Sequence, residues 1–227
     1  MCFVPKVSMA TALIEFFVAF WIYFKFPRRQ LTIFFTIIII LLGLYQFSEF
    51  MLCTVGDPQT WGKFGFVAYT LIPAVTLYFT MMIVGYKPNK FLAFGPAIFF
   101  IIFAIIDKKF ILQGTCSTLF VTIRNKFSYP DKRILPFPIY GTYYYLYLFF
   151  SISYLAIGIK KVKEKKRAFI FSLMIFSIIF TIVPPLIMVN VFPIYNIQFP
   201  SIYCHFAMLI TLASITGLYL EDRLFKE

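Results

Sequence analysis

Two carboxylates, Glu15 and Glu49, stand inside long apolar runs, where a charge is expensive enough to need a cause. At a rise of about 1.5 Å per residue, Glu15 lies about 12 Å into its run from Val7, and Glu49 about 6 Å in from Cys53. Gln46, Glu49 and Cys53 follow i, i+3, i+7 spacing and share a helix face; Ser8, Thr11 and Glu15 repeat the pattern. Near the other end of the chain, Ser201, Cys204, Met208 and Thr211 form a third polar and sulfur-bearing stripe, with the single histidine, His205, beside it. Two chemistries fit. The carboxyl groups either hold helices together by hydrogen bonds to Gln46, Tyr45 or a backbone carbonyl, or they form a site for a ligand, an ion or a proton. The ligand or ion set expected from these stripes is Glu15, Gln46, Glu49, Cys204 and His205.

The four cysteines, Cys2, Cys53, Cys116 and Cys204, all fall on one side once the chain is threaded through a bilayer. An oxidising compartment there permits disulfides in three possible pairings. Buried inert thiols are a second reading. A metal or redox cluster from Cys2, Cys53, Cys204 and His205, with Glu49 near, is a third, although no ligand spacing supports it. No catalytic residue is assigned. Ser172 and Ser177 lack a basic partner at helical spacing, and the last apolar run has no lysine for a retinal Schiff base. Without a nucleophile–base pair, dinucleotide fingerprint or phosphate-binding loop, the chain leans away from an enzyme, and no cofactor is assigned.

The elements that must position these residues are membrane spans. A hydrocarbon core takes roughly 20 apolar residues per helix, and 61% hydrophobic composition with a mean hydropathy of +0.87 leaves little room for a water-soluble fold. The expected fold is an all-α bundle of seven transmembrane helices in a single integral membrane domain, residues 1–227. Helices are placed near 7–26, 31–53, 64–85, 91–106, 140–159, 168–191 and 201–220, separated by Pro, Gly and charged breaks. Basic residues crowd into alternate loops: Lys25, Arg28 and Arg29; Lys87 and Lys90; the run at 160–167; then Arg223 and Lys226. The positive-inside rule puts those loops in the cytoplasm, the N-terminus outside and the C-terminus inside. This suits a bacterial inner membrane or an equivalent plasma membrane. The net charge of +12 is then a topology signal and an attraction to anionic headgroups rather than a nucleic-acid interface.

The connection 107–138 is the extramembrane stretch long enough to fold by itself. Residues 118–123 are β-prone and 124–126 could turn, so a hairpin with a second strand before Pro130 is expected to cover the outer face, tethered through Cys116 if that residue is bridged. Pro73, Pro96 and Pro184-Pro185 each remove a helix hydrogen bond, and neighbours must satisfy the freed carbonyls. Tyr140 and the tyrosines at 143–145 are expected as interfacial anchors.

The opening Met1-Cys2-Phe3 with Ser8 and Ala10, the stretch Tyr45-Gln46-Phe47-Ser48-Glu49, and Tyr203-Cys204-His205-Phe206-Ala207 together resemble an uncharacterised bacterial family of seven-helix integral membrane proteins. Its members begin Met-Cys-Phe-Ser, carry Gln-x-x-Glu in helix 2 and Cys-x-Phe-Ala in helix 7. This chain departs at Val4, and reads Phe50-Met51-Leu52-Cys53 where the family has Gly-x-x-Trp after the Glu. The resemblance implies the fold and marks Cys2, Gln46, Glu49 and Cys204 as positions of interest; it implies no mechanism. The expected function is a binding or sensing module with a polar, Cys-containing pocket in the outer half of the membrane, passing a signal to a cytoplasmic partner at the 160–167 loop. A small transporter or channel for a cation or proton using Glu15 and Glu49, and a membrane-embedded metal or redox enzyme, are the other readings.

Overall fold

The computed structural model describes residues 5–116, 121–127, 139–191 and 203–224. Seven helices and one two-stranded sheet lie among them: α1 (Pro5–Lys25), α2 (Gln30–Val55), α3 (Pro58–Ile83), α4 (Lys90–Ile106), β1 (Ile111–Cys116), β2 (Val121–Asn125), α5 (Ile139–Lys161), α6 (Lys165–Val191) and α7 (Tyr203–Leu224). Among the described residues, four helices are long and apolar enough to cross a membrane, namely Lys6–Lys25 within α1, α2, α3 and α5; α4 is apolar over 17 residues. Their outward faces carry exposed phenylalanines such as Phe17, Phe20, Phe91 and Phe149, while Glu15, Gln46 and Glu49 are buried. That distribution is consistent with a membrane protein.

Local sequence sets the ends. Gly56, at φ 74°, closes α2 in the left-handed conformation. Asp57 then caps α3, accepting from the amides of Gln59 (3.1 Å) and Thr60 (3.3 Å), with Pro58 at the first helical position. The cap starts α3 at Pro58, six residues before the expected 64, because the Gly and Lys of 62–63 are helical although not apolar. Asn89 caps α4 in the same way through the amides of Phe91 and Leu92.

Five helices close a ring, α2 on α3, α3 on α5, α5 on α6, α6 on α7 and α7 on α2; α1 packs outside against α2 and α7, and α4 against α3. Glycines allow the closest approaches. A Cβ on Gly43 would stand 2.8 Å from the Phe16 ring, and one on Gly65 would collide with Ser48 Oγ.

The hairpin exists, but one strand earlier than expected. β1 pairs antiparallel with β2, so the β-prone residues near 121–125 form the returning strand, and 124–126 end it rather than turn it. Asn125 Oδ1 accepts from the Phe127 amide at 3.0 Å, an Asx turn that stops the ladder. Residues 117–120 and 128–138, including the second strand expected before Pro130, lie outside the described residues. The hairpin sits on the end of α2 and the start of α3: Gln59 Nε2 donates to the Ile111 carbonyl, and Phe110 and Phe127 join Phe66, Phe100 and Tyr140 in one aromatic cluster. At its base, Lys126 pairs with Asp107.

Three of the four tyrosines expected as interfacial anchors, Tyr140, Tyr143 and Tyr144, are buried in the core, while Tyr145 is half-buried, and the hydroxyls of Tyr143 and Tyr147 serve the proline-broken helices. Tyr143 donates to the Thr70 carbonyl at 2.8 Å and accepts from the Ala74 amide, entering α3 at the turn that Pro73 opens. Tyr147 donates to the Leu92 carbonyl, the group that lost its donor to Pro96 four residues on. α5 therefore replaces the hydrogen bond that Pro96 removed from α4, and in α3 it bonds Thr70 O and Ala74 N–H, the pair next to the one between residues 69 and 73 that Pro73 cannot form. The side chains of Pro184 and Pro185 lie outside the described residues.

Candidate functional site

Glu49 projects from α2 into the α1–α2 interface, 1% exposed, and Glu15 meets it from α1 at 0% exposed. Glu49 accepts a hydrogen bond from the hydroxyl of Ser8 of α1, and the hydroxyl of Tyr45, one turn before it, is near. Glu15 differs: among the described residues neither of its carboxyl oxygens has a hydrogen-bond partner, and the charged group it senses is Glu49. Thr11, one turn before Glu15, uses its hydroxyl on the Val7 carbonyl at 2.9 Å. Gln46, 0% exposed, completes a buried polar turn of Tyr45, Gln46, Ser48 and Glu49 on α2.

The reason for this concentration is the position of α2, which packs against α1, α3 and α7. Two carboxyl groups in low dielectric require a compensating positive charge or hydrogen-bond donors. Ser8 supplies a donor to Glu49. Glu15 is left as the acid whose burial no described donor offsets.

The expected site residues are thus partly assembled. Glu15, Gln46 and Glu49 are buried in or beside one interface, and α7 packs on both helices that carry them, burying Ala207 and Thr211. Cys2 and the side chains of Cys204 and His205 lie outside the described residues. Cys53 is corrected as a metal candidate: its sulfur is bonded to Cys116, with Cα atoms 5.7 Å apart, and a disulfide sulfur offers no thiolate. Among the described residues no group of three or more His, Cys, Asp or Glu side chains could hold a metal.

A second feature was not legible in the sequence. The five-helix ring leaves a partly open cavity of about 80 Å³, lined by residues such as Phe35, Ile38, Leu148, Met174 and Ile210. Tyr69 and Tyr144 stack across it with ring centroids 4.4 Å apart, and Tyr45 stands 5.9 Å from Tyr69. Tyr45 belongs to both places: its ring lines the cavity and its hydroxyl lies near Glu49. Small residues at 213, 214 and 217 of α7 are the sequence signal that could have pointed here, since they keep one wall thin.

Outside the spans, three carboxylates are perturbed. The Thr60 hydroxyl and amide hold Asp57 below the usual carboxylate range, and Lys126, followed by the Lys109 amide, does the same for Asp107. At the opposite end, burial pushes Glu221 up, opposed by Arg29 and Arg167. Lys25 there donates to the Tyr219 hydroxyl and Lys161 to that of Tyr86, cationic heads held at the end of apolar helices. Comparison of the chain with family models, curated proteins and solved structures gives no match.

Proposed function

We propose that this chain is a seven-span membrane protein, N-terminus outside, that acts as a binding or sensing module, with the α1–α2 acid pair as the element that takes up a small cation or proton. The observation that carries the reading is Glu15: a fully buried carboxyl group beside a second carboxyl group, with no hydrogen-bond partner among the described residues. Intramembrane carboxylates are retained where they do work, and a group with unmet bonding capacity facing another acid suits a site for positive charge.

The topology is supported from both ends. The Cys53–Cys116 bridge calls for an oxidising side at the hairpin, and the opposite end carries Lys25, Arg28, Arg29 and the basic run at 160–167. Occupancy of the pair changes the force between α1 and α2. Because α7 packs on both, that change reaches the basic end, where a cytoplasmic partner reads the 160–167 loop. The transporter reading uses the same acids but draws less support, since Tyr143 and Tyr147 brace the proline-broken turns on which rocking would depend. A redox enzyme built on Cys53 loses its thiol to the bridge.

The test is thermal unfolding of the purified protein across pH and across Na⁺, K⁺, Mg²⁺, Ca²⁺ and Zn²⁺, in wild type, Glu15→Gln and Glu49→Gln. One cation, or the proton, should raise the wild-type midpoint, by about 2.7 kcal/mol of stability at 100 times its Kd, and neither variant should respond. Equal responses in all three proteins would remove the acid pair from the function.

A further inference from the structure

We propose that the basic end of the helix ring holds a binding site for a small zwitterion of the α-amino-acid class, gripped by Arg167, Glu164 and Glu221. A cavity of about 110 Å³ lies there, between the starts of α2 and α6 and the ends of α3 and α7. Leu31, Ile83, Ile170 and Phe171 give it an apolar floor, and the three charged side chains complete the wall. Glu164 and Arg167 are exposed and Glu221 is half-buried, so the charged groups reach water, while Ile170 and Phe171 behind them are buried. Glu164 and Arg167 stand three residues apart at the start of α6, and Glu221 senses Arg167 from α7. Among the described residues, however, no ion pair closes between Arg167 and either carboxylate. Charges of both signs thus border one small space without neutralising each other by contact.

The charges define the ligand. A simple anion entering the cavity is repelled by two carboxylates, and a simple cation by Arg167. Outside the wall, Arg29 and Asp222 act on Glu221 in opposite senses, so neither sign dominates the surroundings. A molecule with both charges a few bonds apart satisfies all three groups together. Its carboxylate takes the planar fork of Arg167, and its ammonium goes to Glu164 and Glu221. An α-amino acid carries that pattern in its main chain alone. Size agrees, since a cavity of about 150 Å³ takes up benzene and this one is somewhat smaller, enough for an amino-acid main chain and a short side chain. The floor of Leu31, Ile83, Ile170 and Phe171 favours a side chain of hydrocarbon. A few placed charges over an apolar floor are the usual make-up of a small-molecule site.

The experiment is equilibrium dialysis of the purified full chain in detergent against tritiated L-alanine and L-valine. At least one of the two should bind saturably and be displaced by its unlabelled form. Propionate and propylamine, which carry one charge each, should compete about a hundredfold more weakly or less. Arg167→Gln and Glu221→Gln should each weaken binding by about tenfold or more. Ile83→Trp, which fills the cavity from α3, should abolish it; Leu31→Phe fills it from α2 and replaces that variant should it fail to elute as a single species. No saturable binding of either amino acid, or binding that survives both Arg167→Gln and Glu221→Gln, overturns the site. Competition by propionate or propylamine equal to that of the amino acid overturns the zwitterion as its ligand. Glu15→Gln and Glu49→Gln should bind as wild type, so this outcome is independent of the α1–α2 reading.

Discussion

The Tyr143 hydroxyl is inserted into the hydrogen-bond ladder of another helix, and removing it gives a stability change that can be worked out beforehand. In Tyr143→Phe the ring keeps its contacts with Phe100 (5.4 Å) and Tyr147 (4.6 Å), so the loss is confined to the bonds with Thr70 O and Ala74 N–H. A buried backbone group left unsatisfied costs about 1–3 kcal/mol. Side-chain hydrogen bonds inside membrane proteins average nearer 0.6, with a maximum of about 1.7 kcal/mol. The two backbone groups can partly re-pair if the turn tightens, but the Pro73 ring resists that closure. We expect about 1.5 kcal/mol, which for a chain of this size lowers Tm by about 3–6 °C. Pro73→Ala supplies an amide for the carbonyl at 69 and removes the ring, so the next pair, Thr70 O and Ala74 N–H, can close unaided. In that background Tyr143→Phe should cost about 0.5 kcal/mol, a coupling of about 1 kcal/mol. The assay is thermal unfolding in detergent followed by the fluorescence of Trp21 and Trp61 for wild type, both singles and the double. Equal losses from Tyr143→Phe in the two backgrounds would show that the hydroxyl does not serve the turn at Pro73.

Replacing Cys53 and Cys116 together by Ser opens a bridge spanning 63 residues, for which chain entropy sets a ceiling of about 4 kcal/mol. Helices α3 and α4 lie within that loop and stay helical in the bilayer, so the realised loss should be about 1–2 kcal/mol, and reduction of the wild type should reproduce it; an unchanged Tm would show that the aromatic cluster and the Gln59 and Lys126 contacts hold the hairpin without the bridge. Asp107 is held below its ordinary value of 3.8 by Lys126, so its contribution is present above that value and fades as pH falls through the lower folded value. Asp107→Asn should therefore speed hydrogen exchange of the β1 amides relative to wild type at pH 7, and the ratio should approach one in strong acid; a ratio that does not change with pH would exclude the ion pair as the cause.

The amino-acid sequence determined the helices, because a long apolar run admits one secondary structure in hydrocarbon, and the breaks at Gly56-Asp57-Pro58 and Lys87-Pro88-Asn89 mark where it must end. It also determined that Glu15 and Glu49 need partners, since the penalty for an isolated carboxylate in lipid does not depend on the fold. The same sequence was silent on which faces meet. With apolar residues on nearly every side, periodicity carries no direction, so the burial of Tyr140 and Tyr143 became evident once their hydroxyls met Thr70 in the turn beside Pro73. The hairpin register followed from Gln59 and the Asx turn at Asn125 rather than from β-propensity, which does not tell an outgoing strand from a returning one. Tertiary structure decided the Cys53–Cys116 pairing, the meeting of Glu15 with Glu49, and the cavity inside the ring, because each is set by distances between segments far apart in the chain. A cavity is the space that packed side chains leave between them, and no residue encodes it by its own type.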